Sequence, residues 1–486
     1  MIGGGIVGAG IAAHAAREGL AVALVDRRDF GSGTSAASSK LIHGGLRYLR
    51  LGDFSLVREA HRERRLLMQT VAPHLVRRLP FLLPLYRDGP YRPATVHAGV
   101  TAYCALARAR LSRPVSPARA RVQVPALRTD GLRSCAAYGD AVTHDSRLCL
   151  ANVRAAHAAG ATVVNYAAVK HLRIGHGRVA GADVLVDGES ISVDARAVVN
   201  ASGPWVDHVR LLEDANAAPS VRLSKGVHLV LALDAPWSAA LVIPHDAGRV
   251  SFGVPWEGML LLGTTDSDYE GSPDLLEVTP GEIDQVLDEA AVALNPHAIG
   301  RAAIRSSFAG LRVLPLGDGG TATARREAVV TVGAAGMLTV AGGKLTTYRA
   351  LALRVLRELA PELRLRRISA RAIPLPGAVD PVVETGRLAR TYPEVEAATI
   401  AHLVHLHGGF AADVLALGDG APELHEPIDS AGPDVLAQIV YAVAREWALC
   451  ADDVLRRRTT VAVRVGDDAT VRARVKGMLA DFDAGA

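Results

Sequence analysis

The chain opens Met1-Ile2-Gly3-Gly4-Gly5-Ile6-Val7-Gly8. Its glycines fit G-x-G-x-x-G, with Gly3, Gly5 and Gly8 in the three positions. The first glycine makes a tight turn, the second admits a pyrophosphate to the backbone, and the third lets the next helix pack on the strand. Ile6 to Glu18 is Ala-rich and reads as that helix, with Gly19 as its stop. Ile6 and Val7 lie at its start, where free N–H groups suit anionic phosphates. Leu20 to Val25 reads as a buried strand ending at Asp26-Arg27. An acid roughly 20 residues beyond the glycines suits a ribose hydroxyl. Turn, helix, strand and acid together predict a Rossmann-like α/β body that binds a dinucleotide. Only Met1 and Ile2 precede Gly3, so the first strand is short, and the natural protein is expected to begin upstream.

The totals set the scale. A length of 486 residues points to two or three domains. The 54 Lys and Arg against 50 Asp and Glu leave a formal charge of +4, too little to imply nucleic acid. A pI near 8.9 fits an anionic substrate or membrane surface. Cys104, Cys135, Cys149 and Cys450 form no CxxC pair, which argues against a metal or iron–sulfur site. No apolar run reaches the ~20 residues of a spanning helix, so a cytoplasmic protein is expected, at most seated on the cytoplasmic face of a membrane.

The opening motif alone does not separate nicotinamide from flavin enzymes. The segments after it carry more. Gly33 to Leu49 reads GTSAASSKLIHGGLRYL, a Gly-bounded loop whose Ser35, Ser38 and Ser39 supply hydroxyls and N–H groups to a cofactor. Further on come Asn200-Ala201-Ser202-Gly203-Pro204-Trp205, Ser224-Lys225-Gly226-Val227-His228 and Gly263-Thr264-Thr265-Asp266-Ser267-Asp268-Tyr269. Ala309-Gly310-Leu311-Arg312-Val313-Leu314-Pro315 and Gly342-Gly343-Lys344-Leu345-Thr346-Thr347-Tyr348-Arg349 complete the set. Together these ordered blocks closely resemble the FAD-dependent glycerol-3-phosphate dehydrogenase family, over roughly residues 1–375 and more loosely to Ala486.

The resemblance implies non-covalent FAD, the glutathione-reductase/D-amino-acid-oxidase type of cofactor domain, and oxidation of sn-glycerol 3-phosphate to dihydroxyacetone phosphate with a quinone as acceptor. It assigns FAD contacts to Gly3, Gly5, Ile6, Val7, Gly8, Asp26, Arg27, Thr34, Ser35, Ser38, Ser39, Lys40, Leu41, His43 and Gly44. Val169, Ala201, Ser202, Gly203, Trp205, Gly343, Lys344, Leu345 and Thr346 extend that set, with Val169 near the adenine. A helix expected from Leu345 turns its N-terminus toward the flavin pyrimidine ring. Arg47, Tyr48, His228, Arg312, Arg326, Lys344 and Thr346 form the implied substrate site, with Arg47, His228, Arg312 and Lys344 as catalytic groups. His228 is either proton acceptor or substrate donor, and Arg325 competes with Arg326 for the phosphate. Asp266 and Asp268 read as turn and strand-end residues. The alternatives are an oxidase using oxygen, a related amine or amino-acid oxidase, and a flavin-binding protein without turnover.

Cofactor segments are expected near 1–75, 140–205 and 305–360. Substrate segments near 76–139 and 206–304 would build a mainly antiparallel sheet. The Pro-rich Ile373-Pro374-Leu375-Pro376-Gly377 marks a boundary before a helical cap domain at 376–486, with helices expected at Glu394–His407, Pro433–Leu449 and Asp467–Phe482. Arg108, Arg110, Arg113, Arg119 and Arg121 read as a solvated loop or as a contact with an anionic membrane. A homodimer is the expected assembly.

Overall fold

The computed structural model describes residues 1–46, 49, 52–109, 112–245, 249–316, 328–430 and 432–485. Ile2 is the middle of the first sheet, reduced to a bridge: it pairs in parallel with Val25 on one side and Asn200 on the other. Ala23–Val25 and then Thr162–Val164 extend the sheet one way. Val199–Asn200, Leu338–Ala341 and an antiparallel Val329–Val332 extend it the other way. Ile6–Arg17 leaves the glycine turn as a helix and packs on the helices Asp145–Ala158 and Tyr348–Leu363. Its buried Ala9, Ala12, Ala13 and Ala16 let these helices and the sheet approach closely. Gly19 takes φ +82°, the left-handed conformation that ends a helix.

The first turn shows why its glycines are glycines. Gly3 has φ +100°, and a Cβ there would lie 2.6 Å from the Ala201 carbonyl oxygen. A Cβ on Gly8 would lie 1.9 Å from the Gly3 carbonyl oxygen, so helix and turn could not coexist with a side chain. The apolar-rich stretch Val163–Leu172 is shared between two sheets. Thr162–Val164 joins the parallel sheet, and Ala168–Gly175 starts an antiparallel meander with Arg178–Val186 and Glu189–Asp194. The chain turns between them at Tyr166, whose φ is 53°.

The second body is a large mixed sheet in the order Ser267–Tyr269, Val221–Leu231, Met259–Gly263, Val250–Trp256, Ala240–Pro244, Val76–Tyr86, Leu132–Thr143, Leu41–Ile42. Its pairings are antiparallel except Ala240–Pro244 on Val76–Tyr86. Alternation of side chains across the sheet sends Leu229, Leu231, Leu241, Leu260 and Leu262 to one core and Val230, Val242 and Leu261 to another. Both faces are covered, so these strands read as continuous apolar runs. Ile304–Pro315 pairs with Val221–Leu231 in this sheet, while Val329–Val332 and Leu338–Ala341 belong to the first. The stretch 305–360 thus serves both bodies.

Leu375 of the Pro-rich connector is buried in the core of the first body. Beyond it the chain is helical, including Pro381–Thr391, Ala397–His407, Ala437–Glu446 and Ala469–Gly485. Two apolar clusters of its own hold this tail together.

Candidate functional site

A cleft of about 530 Å³ lies between the two sheets. The first body contributes Gly3, Gly5, Ile6, Val7, Asp26, Arg27, Val169, Ala201, Ser202, Gly203 and Trp205 to its walls. The serine-rich loop contributes Thr34, Ser35, Ser38, Ser39, Leu41 and His43. The large sheet contributes His228 and Arg312, and the segment before the Tyr348–Leu363 helix contributes Gly343, Lys344, Leu345 and Thr346. Arg47, Tyr48 and Arg326, with its competitor Arg325, lie outside the described residues.

The dinucleotide side is built from the glycine turn. Gly5 caps the first helix without a side chain, which leaves its start open toward the cleft, and Ser35 Oγ accepts from Ile6 N at 2.9 Å. Asp26 braces the glycine turn. Its Oδ2 accepts from Gly4 N at 2.7 Å and its Oδ1 from Arg28 N at 2.9 Å. Burial raises its pKa to about 6, against the lowering effect of those N–H bonds. The Trp205 ring lies beneath the Arg27 guanidinium at 4.6 Å, and both residues reach Asp274. Ser202 turns its hydroxyl onto Asn200 Oδ1 at 2.6 Å.

Lys40, Gly44 and Gly8 do not line the cleft. Lys40 is buried with φ 61°, and its Nζ donates to Asp145 Oδ1 at 2.7 Å and to the Ala36 carbonyl at 2.6 Å. Asp145 also accepts from the N–H and hydroxyl of Ser38, so the Lys40–Asp145 pair sets the curvature of the serine loop from behind. Gly44 N donates to Asp140 Oδ1 at 3.2 Å, and Tyr103 and Arg64 bond the same buried carboxylate. Thr34 ties the loop to the large sheet by donating to the Leu311 carbonyl at 2.7 Å.

His228 and Arg312 sit on neighbouring strands of the large sheet. His228 is buried, stacks on Phe308 at 5.0 Å, and places Nε2 2.9 Å from Ser39 Oγ. Its Nδ1 is buried without a hydrogen-bond partner. Burial, reinforced by the positive charges of Arg312 and Lys40, holds its pKa well below the ordinary histidine value, so the ring is neutral near pH 7. Arg312 faces Ser224 across the strand pair. Its Nη1 donates to Ser224 Oγ and Asp266 Oδ1, each at 3.2 Å, and its Nη2 donates to Thr264 Oγ1 at 2.8 Å and the Thr265 carbonyl at 3.1 Å. Gly226 makes this possible, because a Cβ there would lie 2.5 Å from Arg312 Nη2. On the far wall, Thr346 Oγ1 accepts from His43 N at 3.1 Å.

Sequence reasoning missed the supporting groups. Asp266, read as a turn residue, is the carboxylate that fixes Arg312, and it also accepts from the Ser224 hydroxyl. Thr265 Oγ1 accepts from Val227 N at 2.9 Å, while the Val227 side chain is core. Asp145, on a helix far along the chain, and Phe308 carried no signal of their own. Thr264 and Asp266 had one: polar residues directly after the apolar run Met259–Gly263.

The donors fit FAD. An open helix start, a glycine turn, a buried acid and a row of serines suit an adenosine pyrophosphate. The walls carrying Lys344 and Thr346 on one side and a neutral imidazole on the other suit a redox ring and its substrate. The FAD dependent oxidoreductase family matches residues 1–349, and the C-terminal domain of alpha-glycerophosphate oxidase matches residues 368–480. A glycerol-3-phosphate dehydrogenase of Synechocystis is 36% identical over 96% of this chain and 89% of its own length. One of Mycobacterium leprae is 37% identical over 95% of this chain and 80% of its own. The solved glycerol-3-phosphate dehydrogenase of Bacillus halodurans, complexed with FAD, is 27% identical and superposes with a TM-score of 0.77 over 99% of this chain and 93% of that one. Matches of this length across both the cofactor body and the helical tail place the chain in the FAD-dependent glycerol-3-phosphate dehydrogenase family, with FAD as its cofactor.

Proposed function

We propose that this protein oxidises sn-glycerol 3-phosphate to dihydroxyacetone phosphate and passes the electrons to a quinone. The observation that carries the reading is the meeting of His228, Arg312, Lys344 and Thr346 on the walls of one cleft whose other walls suit a dinucleotide. Bound FAD supplies the hydride acceptor. The chain's own residues bind, orient and deprotonate. Arg312, braced by Asp266 and Thr264, presents a fixed guanidinium to the reacting oxygen, where negative charge grows as its proton leaves. His228, kept neutral by burial, is in the form that takes a proton, and Ser39 orients its ring. Lys344 adds positive charge to the same space. Arg47, Tyr48 and Arg326 complete the phosphate and hydroxyl contacts in this reading.

Anaerobic titration with glycerol 3-phosphate, followed by flavin absorbance, tests it. Bleaching by this substrate and not by a panel of amino acids is the expected result. Yellow protein that no candidate bleaches would point to binding without turnover.

The quinone is supported by the basic segment. Arg108, Arg113, Arg119 and Arg121 are exposed, while Arg110 lies outside the described residues, and such a run suits the anionic surface in which quinones dissolve. Among the described residues no helix is long and apolar enough to cross a membrane. A peripheral place on the cytoplasmic face, and a homodimer, belong to the same proposal. Peroxide yield per turnover with and without a quinone analogue separates this reading from an oxidase. Unchanged sedimentation with anionic liposomes after charge reversal of the five arginines would remove the membrane contact.

A further inference from the structure

The helical tail touches the cofactor body at a place that matters for the cleft. The loop Asp26–Gly31 follows the strand Ala23–Val25, and its Arg27, Arg28 and Gly31 line the cleft. Between them Asp29 points the other way, almost fully buried, into the tail. Arg458 grips it with two bonds, Nη1 to Oδ2 at 2.6 Å and Nη2 to Oδ1 at 2.8 Å, and Arg457 bonds the same carboxylate. Asn165 spans the joint, donating to Asp29 Oδ1 at 3.2 Å and to the Trp447 carbonyl at 2.8 Å. The Trp447 ring meets Phe30 edge-on at 5.9 Å.

What the tail holds on this side, the glycine turn feels on the other. Gly31 N donates to the Gly4 carbonyl at 3.1 Å, and Gly4 N donates to Asp26 Oδ2 at 2.7 Å. A continuous path of hydrogen bonds and packed rings therefore runs from Arg458 to the turn on which the pyrophosphate rests. A bidentate Arg–carboxylate pair fixes direction as well as distance. Its burial makes the broken state costly, since loss of either partner strands a charge.

We propose that the C-terminal helical domain is a clamp on the cofactor loop, with Arg457, Arg458, Asn165 and Trp447 as positioning residues that govern FAD retention through Asp29. The proposal rests on FAD occupying the cleft. Wild-type protein that carried no flavin would remove that premise, whereas the variants below test the clamp alone.

The experiment follows flavin fluorescence recovered on dilution of the holoprotein, which yields the FAD dissociation constant, with a thermal melt alongside. Arg458→Gln and the milder Asn165→Ala are compared with Glu257→Gln. Glu257 is a buried carboxylate that docks the tail at His405 (3.2 Å) on the large sheet, away from the cofactor loop. Arg458→Gln and Asn165→Ala are expected to weaken FAD binding by roughly 5- to 20-fold, the lower part of the usual range for coupled sites. Glu257→Gln is expected to lower the melting point and leave FAD affinity unchanged. If Arg458→Gln does not fold, Asn165→Ala decides. Wild-type FAD affinity in the clamp variants, or an equal loss in Glu257→Gln, overturns the proposal.

Discussion

Replacing Gly226 by Ala adds a single methyl group, and the structure says where it lands. The new Cβ would lie 2.5 Å from Arg312 Nη2 and 2.4 Å from Thr264 Oγ1. Comfortable heavy-atom contact needs about 3.5 Å, so the guanidinium must shift by about 1 Å. Gly226 lies in a regular strand opposite Gly310, so the substitution acts through space and not through the backbone. A shift of that size breaks the 2.8 Å bond to Thr264 and the 3.1 Å bond to the Thr265 carbonyl. Overpacking of this kind costs about 1–3 kcal/mol of stability, which a protein of this size survives. The catalytic loss is larger. Displacing a group that steadies charge in the transition state costs about 10²–10³ in rate, and a 1 Å misplacement about 10². Anaerobic stopped-flow reduction of the flavin by saturating glycerol 3-phosphate should therefore slow by about 100-fold, with the flavin content of the protein retained. Reduction within about threefold of wild type in fully flavinated Gly226→Ala would refute the assignment of Arg312 to the reacting oxygen.

Other perturbations separate roles. His228→Ala should slow flavin reduction by ~10²–10⁴ and change substrate binding much less, whereas Arg326→Ala should mainly weaken binding; equal effects of the two on both quantities would cancel these roles. Asp145→Asn leaves Lys40 charged and without its buried partner, at a cost of about 3–5 kcal/mol visible as a lower urea midpoint. Acid should destabilise the fold through its buried histidines. Burial lowers His14 to about 4 and His61, His74 and His144 to about 3. Below about pH 6.5 the unfolded chain protonates these rings while the folded chain does not, so the unfolded state binds more protons and stability falls with pH. The urea midpoint at pH 5.5 should lie below that at pH 7.5, and equal midpoints would mean the rings are not held neutral.

Much of the first body was readable because its signals are local. Gly3, Gly5, Gly8 and Asp26 are set by one turn, one helix and one strand, and periodicity or steric need marks each. The boundaries of strands were less legible. Leu20–Val25 shortens to Ala23–Val25, and the run at Val163–Leu172 splits at Tyr166, because pairing partners elsewhere in the chain decide how far a strand extends. Lys40 shows the same limit for a side chain. The resemblance assigns it to the cofactor, and only the fold shows that its ammonium is bound by a carboxylate more than a hundred residues away.

From the order of residues alone came a dinucleotide turn, a serine-rich loop, a mainly antiparallel sheet and a helical tail. Each of those depends on neighbours within a few residues or on hydrophobic period, and both survive in a linear text. Only the folded chain decided that Asp266 braces Arg312, that Ser39 meets His228, that Asp145 turns Lys40 inward, and that Arg458 reaches Asp29 from the far end of the protein. Those contacts join charges and hydroxyls distant in sequence. Their partners are chosen by geometry and burial, and a charged residue looks the same in a sequence whether it faces water or a buried counter-charge.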